Sequence, residues 1–473
     1  MEKSFYKSFI LDEFSPVAIY QKIKKIYPDE ISFLFESSVN TAEGNFSYIF
    51  LGQRQRIWHK DSVTFFQDED GVKKRVDVNP LAFLKSFYEK IDSKPYKDLG
   101  QKLGLGFTDG FVGNISYDII CEFEPILKKS MQNLEDELKL PDLDLLRPNI
   151  ILGFSHKTSK LTLLTFKKSL AGELLKIKQE LLRPYECHQL KKAKLFGDGS
   201  FHFKKEEFFE LIKKSKEKIR TGDVFQVLIS NRFTQKARLD ALSFYRVLRS
   251  KNPSPYLFLL EYEKYCLAGS SPELMVKLEN NKIILRPIAG TRKRGKDYTK
   301  DKFYEKELIN DEKEKSEHIM LVDLGRNDLG KVAKTASIKL NKLMSVEKYS
   351  HVMHLVSELE AVLDEKYDMF DLFTACFSAG TMTGAPKIRA MELIAEFEKQ
   401  KRNFYSGCVA YFGFDGNMDT AITIRTSYID EEKIVFQAGA GIVANSEAKL
   451  EYLEVQNKLA ANISALEDLT KID

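Results

Sequence analysis

The sequence predicts an α+β architecture with antiparallel sheets, and three observations lead to it. Strand-like runs arrive as hairpins and meanders, helical periodicity is confined to a few separated stretches, and turn residues punctuate the chain between them. That order suits antiparallel sheets better than a doubly wound parallel sheet, in which strand and helix alternate. At 473 residues, 43% apolar and 30% charged, the chain can bury an extensive core. It exceeds what one core usually supports, so two domains or one unusually large one are expected.

The elements follow in chain order. Residues 32–35, 46–51, 110–116 and 149–154 are short alternating or apolar runs bounded by Gly, Asn and Asp, and read as strands. Residues 183–201 carry Pro, Gly, Ser and lysines without apolar periodicity. That places a boundary there and divides the chain into domains 1–190 and 200–473. Next, Phe208, Leu211, Ile212, Ser215 and Ile219 recur at helical spacing until Gly222 stops the helix, and a strand follows over 224–230. Residues 274–278 and 282–287 flank Asn280-Asn281, and residues 409–414 and 420–428 flank Asp415-Gly416-Asn417, so each pair reads as a hairpin. Helices are predicted at about 301–325, 384–400 and 447–465.

Charge and composition exclude several classes. The net charge of +4 arises from 73 basic and 69 acidic residues mixed along the chain, which describes a solvated surface and no nucleic-acid footprint. The N-terminus has no apolar signal region, and the longest apolar runs fall far short of the ~18 residues of a membrane helix, so a cytoplasmic protein is expected. Cys121, Cys187, Cys266, Cys376 and Cys408 are widely spaced and never form C-x-x-C, so reduced thiols and no structural zinc are expected.

Two Glu-x-x-Glu pairs, Glu314/Glu317 and Glu451/Glu454, each put two carboxylates on one helical face. If they converge, four carboxylates point to a hard divalent cation. GTMTGAPK (380–387) is no P-loop, because Gly380 and Gly384 enclose three residues and Lys387 is followed by Ile388. Gly439-Ala440-Gly441 lacks the third glycine of a dinucleotide fingerprint.

Six motifs stand in a fixed order: PIAGTRKRG (287–295), EKSEHIMLVDLGRNDLG (314–330), HVMH (351–354), GTMTGAPK, DGNMDTAITIRT (415–426) and GAGIVANSEAKLEYLEVQNK (439–458). With SFLFESS (32–38) and NPSPYL (252–257), they resemble the chorismate-binding enzymes and, among them, the large subunits of anthranilate synthase. The resemblance spans nearly the whole chain. It implies an antiparallel β-sandwich with helices packed outside and a cleft for chorismate and Mg²⁺.

The resemblance also implies roles. Glu317 and Glu454 would be direct Mg²⁺ ligands, with Glu314 and Glu451 acting through water. Tyr405, Arg425, Lys458 and the backbone of Gly439, Ala440 and Gly441 would hold a substrate carboxylate, beside Ala289, Gly290 and Thr291. His354 would handle protons, either at the leaving hydroxyl or at the ring C–H, and Thr381 would bond a substrate oxygen. His351, one helical turn from His354, is read as structural. Glu36, Ser37, Ser38, Pro255, Tyr256 and Leu257 would form an inhibitory tryptophan site, with Phe35 and Leu257 departing from the family's leucine and methionine. Lys293, Val455 and Gln456 depart as well.

Ala289 stands where related aminodeoxychorismate, isochorismate and salicylate synthases typically carry lysine, and it leaves room for ammonia. The expected activity is Mg²⁺-dependent anthranilate formation from chorismate and ammonia, the first committed step of tryptophan biosynthesis. No glutaminase cysteine motif is present, so a separate glutamine amidotransferase subunit is expected to supply the ammonia. The alternatives are an aminodeoxychorismate synthase, separable by its product, and a non-catalytic tryptophan-binding regulator.

Overall fold

Strands of this chain serve two cores at once. In Ser32–Ser37 and Tyr256–Glu261, Phe33, Phe258 and Leu260 enter one core, while Leu34, Leu257 and Leu259 enter a second. Successive side chains of a strand point to opposite faces, so a strand buried on both faces reads as a continuous apolar run. The computed structural model that shows this describes residues 2–37, 45–184, 186, 188–349 and 352–472.

One sheet runs, in order of pairing, through Phe5–Ile10, Lys160–Thr165, Leu143–Ser155, Phe46–Lys60, Ser32–Ser37, Tyr256–Glu261, Cys266–Ser271, Thr426–Ile429, Lys433–Ile442 and Gln226–Arg238. The second leaves Leu143–Ser155 through Gly110–Ile115, Cys408–Gly413, Met418–Ile422, Leu274–Glu279, Lys282–Leu285 and Val352–Val362, which also pairs with Ile288–Lys293 and Lys339–Lys348. Every one of these pairings is antiparallel, as expected. The inner core lies between the sheets and is rich in aromatics, including Phe50, Phe107, Phe111 and Phe412. Helices Pro16–Ile26, Glu173–Leu181, Ala241–Lys251 and Ala448–Thr470 close the outer core with Ile19, Ile177, Phe244 and Leu459.

Two elements differ from the sequence prediction. The helix expected near 301–325 is two helices, Tyr298–Asn310 and Glu312–Gly330, because the Asp311 side chain accepts from the Lys313 and Glu314 amides and starts a new helix. The strand expected over 420–428 is also two, Met418–Ile422 in one sheet and Thr426–Ile429 in the other. The chain turns between them at Arg425, held at φ 52°. Across the 190–200 segment, short strands Lys194–Leu195 and Ser200–Phe201 pair with Gln226–Arg238, and residues on both sides share both cores.

Candidate active site

Helices Glu312–Gly330 and Ala448–Thr470 converge on one cleft of about 640 Å³, a size usual for a small-molecule site. From them come Glu314, Glu317, Glu451, Glu454 and Lys458. The strand Ile288–Lys293 adds Ala289, Gly290 and Thr291, and Val352–Val362 adds His354. Thr381, Tyr405, Arg425, Gly439 and Gly441 complete the walls. Ala440 turns its methyl into the outer core, since it alternates with the two glycines along Lys433–Ile442. His354 sits on a strand, which corrects the helical-turn relation expected for His351, and His351 itself lies outside the described residues. After Glu317, His318 and Leu321 are buried, but Ile319 is 55% exposed.

The carboxylates are not equivalent. Desolvation, then repulsion from Glu314 and Glu454, raises the pKa of Glu317, whose Oε1 accepts from Gln226 Nε2 at 3.1 Å. Burial, above all, also raises Glu451. Burial works to raise Glu454 too, but the Lys458 ammonium at 2.6 Å outweighs it and holds this carboxyl below its usual range. Glu314 accepts from Arg292 at 3.0 Å. Among the described residues no three acid or imidazole side chains form a ready-made metal cage. The donors are nonetheless all oxygen and mutually repelling, and Mg²⁺ is usually held by one or two carboxylates with waters and substrate oxygens. Such a donor set could hold that ion, with Glu317 and Glu454 as candidate ligands.

The cations divide between bound and free. Lys458 is committed to Glu454 and to the Gly439 carbonyl at 2.8 Å. Arg425 has no ion-pair partner among the described residues, and desolvation lowers its pKa despite the pull of Tyr405, Glu454 and Glu273. A side chain at Gly439 would bring its Cβ to 2.6 Å from Leu228 Cδ2 and 3.1 Å from the Tyr405 hydroxyl, so glycine keeps this wall open.

His354 Nδ1 lies 3.0 Å from the Gly290 carbonyl and 3.1 Å from Thr291 Oγ1. Only a protonated Nδ1 can donate to a carbonyl, so in the neutral ring Nε2 is the basic nitrogen. Burial lowers the His354 pKa, and that neutral form prevails at pH 7. Sequence reasoning missed Glu273. It is buried, receives the Thr381 hydroxyl at 2.7 Å, and is pushed up by burial to about 7, with Thr381, Lys458 and Arg425 pulling it back. An acid placed directly after Pro272 and before the mostly apolar run 274–278 was the available signal.

A family model described as chorismate binding enzyme matches residues 31–464. The chain belongs to the chorismate-binding enzyme family. It is 38% identical over 484 residues to anthranilate synthase component 1 of Aquifex aeolicus, covering 98% of this chain and 94% of that one. With the same protein of Thermus thermophilus it shares 36% over 471 residues, covering 98% of both. The crystal structure of anthranilate synthase component I from Streptococcus pneumoniae superposes with a TM-score of 0.78 at 32% identity, covering 96% of this chain and 99% of that one. A menaquinone-specific isochorismate synthase from Escherichia coli, 18% identical with a TM-score of 0.71, shares the fold.

This member of the family has a second, smaller cavity of about 140 Å³, lined by Glu36, Ser37, Pro255, Tyr256 and Leu257 among others. It shares no lining residue with the acidic cleft. Ser38 lies outside the described residues. The Glu36 carboxylate is taken by Arg249 at 2.6 and 2.7 Å and by the Tyr245 hydroxyl at 2.8 Å, all on helix Ala241–Lys251. Lys277, Glu279 and Asp419 add further polar groups to the lining. No helix among the described residues is long and apolar enough to cross a membrane.

Proposed function

We propose that this chorismate-utilising enzyme is the large subunit of an anthranilate synthase, converting chorismate and ammonia to anthranilate and pyruvate in the cytoplasm. The observation that carries the reading is Arg425, a guanidinium inside the cleft with no ion-pair partner among the described residues, in a lining that also holds Glu314, Glu317, Glu451 and Glu454. Such a site suits a dicarboxylate, one end on a rigid cationic fork and the other toward the acid side. Mg²⁺ held by Glu317 and Glu454, with Glu314 and Glu451 nearby, would supply positive charge for that second carboxylate. The component 1 names of the relatives support a partner component, which in this reading is a glutamine amidotransferase that supplies the ammonia.

The residues divide the work. The nitrogen of ammonia bonds to a ring carbon as the C–O bond of the ring hydroxyl breaks, and the departing oxygen needs a proton. Glu273, buried and partly protonated at neutral pH, supplies it, while Thr381 fixes the carboxyl. The C–H of the ring carbon bearing the new nitrogen then loses its proton to His354 Nε2, the bond from the ring to the enolpyruvyl oxygen breaks, and the released enolpyruvate takes up a proton at its methylene carbon to become pyruvate as the ring aromatises. Ala289 keeps the approach to the ring small and open. Tryptophan binding at the second cavity would regulate the first.

Mass analysis of products formed from chorismate, Mg²⁺ and ammonium tests the reading. Anthranilate with equimolar pyruvate is expected. Accumulated aminodeoxychorismate or isochorismate without pyruvate would overturn it.

A further inference from the structure

Arg402 is 1% exposed, and all five of its N–H donors are used. Nε and Nη2 grip Glu398 at 2.9 and 2.6 Å. Nη2 also reaches the Leu228 carbonyl at 2.9 Å, and Nη1 reaches the Met382 carbonyl at 2.8 Å and Ser406 Oγ at 3.4 Å. The guanidinium lies 4.9 Å from the Tyr117 ring centre and 5.7 Å from that of Tyr405. Glu398 Oε1 in turn accepts from the Ser230 amide at 2.7 Å and its hydroxyl at 2.9 Å.

A buried ion pair is a poor way to gain stability, since apolar residues of similar volume often serve as well or better. What an apolar pair would lack is the fork. Leu228, Met382 and Tyr405 all line the cleft, and Met382 follows Thr381, whose hydroxyl holds Glu273.

We propose that Arg402, paired with Glu398, is a positioning residue for the reaction in the cleft. It ties the Gly380–Met382 turn and Tyr405 to strand Gln226–Arg238, and so sets where Thr381 presents its hydroxyl to Glu273. The proposal rests on the functional reading above.

Arg402→Lys tests it, because lysine can still pair with Glu398 but cannot also span the carbonyls of Leu228 and Met382. Turnover number should fall about 10- to 100-fold, the scale of a slight misplacement of reacting groups, while the Michaelis constant for chorismate changes much less. The high-pH limb of turnover should also move upward, because Glu273 loses the Thr381 bond while Lys458 and Arg425 continue to face it. Glu398→Gln is the second variant, keeping an acceptor for Ser230 and Arg402 without the charge that orients the fork. The same signature is expected there. A lower unfolding temperature with unchanged turnover number and pH limb would overturn the proposal, as would failure of both variants to fold. Wild-type protein that forms no anthranilate would instead refute the functional reading.

Discussion

A carboxyl that titrates near neutrality leaves a mark on the pH profile. Glu273, raised by burial to about 7, donates only when protonated, so turnover at constant free ammonia should fall as pH rises through about 7. Glu273→Gln should remove that limb and most of the turnover, and a retained limb would exclude Glu273 as the donor. His354 is the opposite case: burial keeps it neutral, and its limb lies on the acid side, below the ordinary histidine range. His354→Ala should lower turnover by roughly 10²–10⁴-fold, and a rise in the Michaelis constant alone would make it a binding group. At this scale the sequence exposed both Glu-x-x-Glu pairs through their spacing, and His354 and Arg425 through the family resemblance. It hid Glu273, because that role comes from burial beside Thr381, which no local pattern encodes. It also could not divide the cations, since the Lys458–Glu454 pair and the unpaired Arg425 are facts of three-dimensional placement.

Elements decide how the carboxylates meet. Helix Glu312–Gly330 exists as a separate unit because Asp311 caps it, and that cap aims Glu314 and Glu317 across the cleft at Ala448–Thr470. Glu317→Gln or Glu454→Gln should abolish most Mg²⁺-dependent turnover without unfolding the chain. Near-normal activity at ordinary Mg²⁺ would remove these residues from the ion. The break at Arg425 was illegible for a different reason: both flanking runs have strand periodicity, and only the partner strands reveal that they enter different sheets. An arginine at φ 52° costs about 1–3 kcal/mol, a strain that placing the guanidinium in the cleft would explain. Strand Tyr256–Glu261 is the corresponding element of the second cavity. Pro255→Ala at its entry should relieve tryptophan inhibition while leaving uninhibited turnover nearly intact. Linkage further requires chorismate with Mg²⁺ to weaken tryptophan binding by the factor with which tryptophan weakens theirs. Calorimetry that detects no tryptophan binding to the unmodified chain would sink this.

For the molecule as a whole, the sequence showed the fold class and the paired strands, but the sharing of cores by distant segments is a property of pairing partners that periodicity cannot name. Strand Ser32–Ser37 lies between Phe46–Lys60 and Tyr256–Glu261, and Gly110–Ile115 lies beside Cys408–Gly413. Residues 200–473 expressed alone should therefore lack a cooperative unfolding transition and expose the unpaired edge of Tyr256–Glu261. A sharp transition equal to that of the full chain would show that this half is self-sufficient. The same pairing has a temporal side. Tyr256 meets Ser37, so the edge of strand Ser32–Ser37 waits for a partner made about 220 residues later. At ribosomal speeds of roughly 5–20 residues per second, that is a delay of some tens of seconds. Throughout it, strands meant to be covered on both faces stand open to other nascent chains. Synthesis of this protein thus carries an interval of stickiness written into its topology, and a cell making it rapidly must either shield the first half or lose part of it to aggregation.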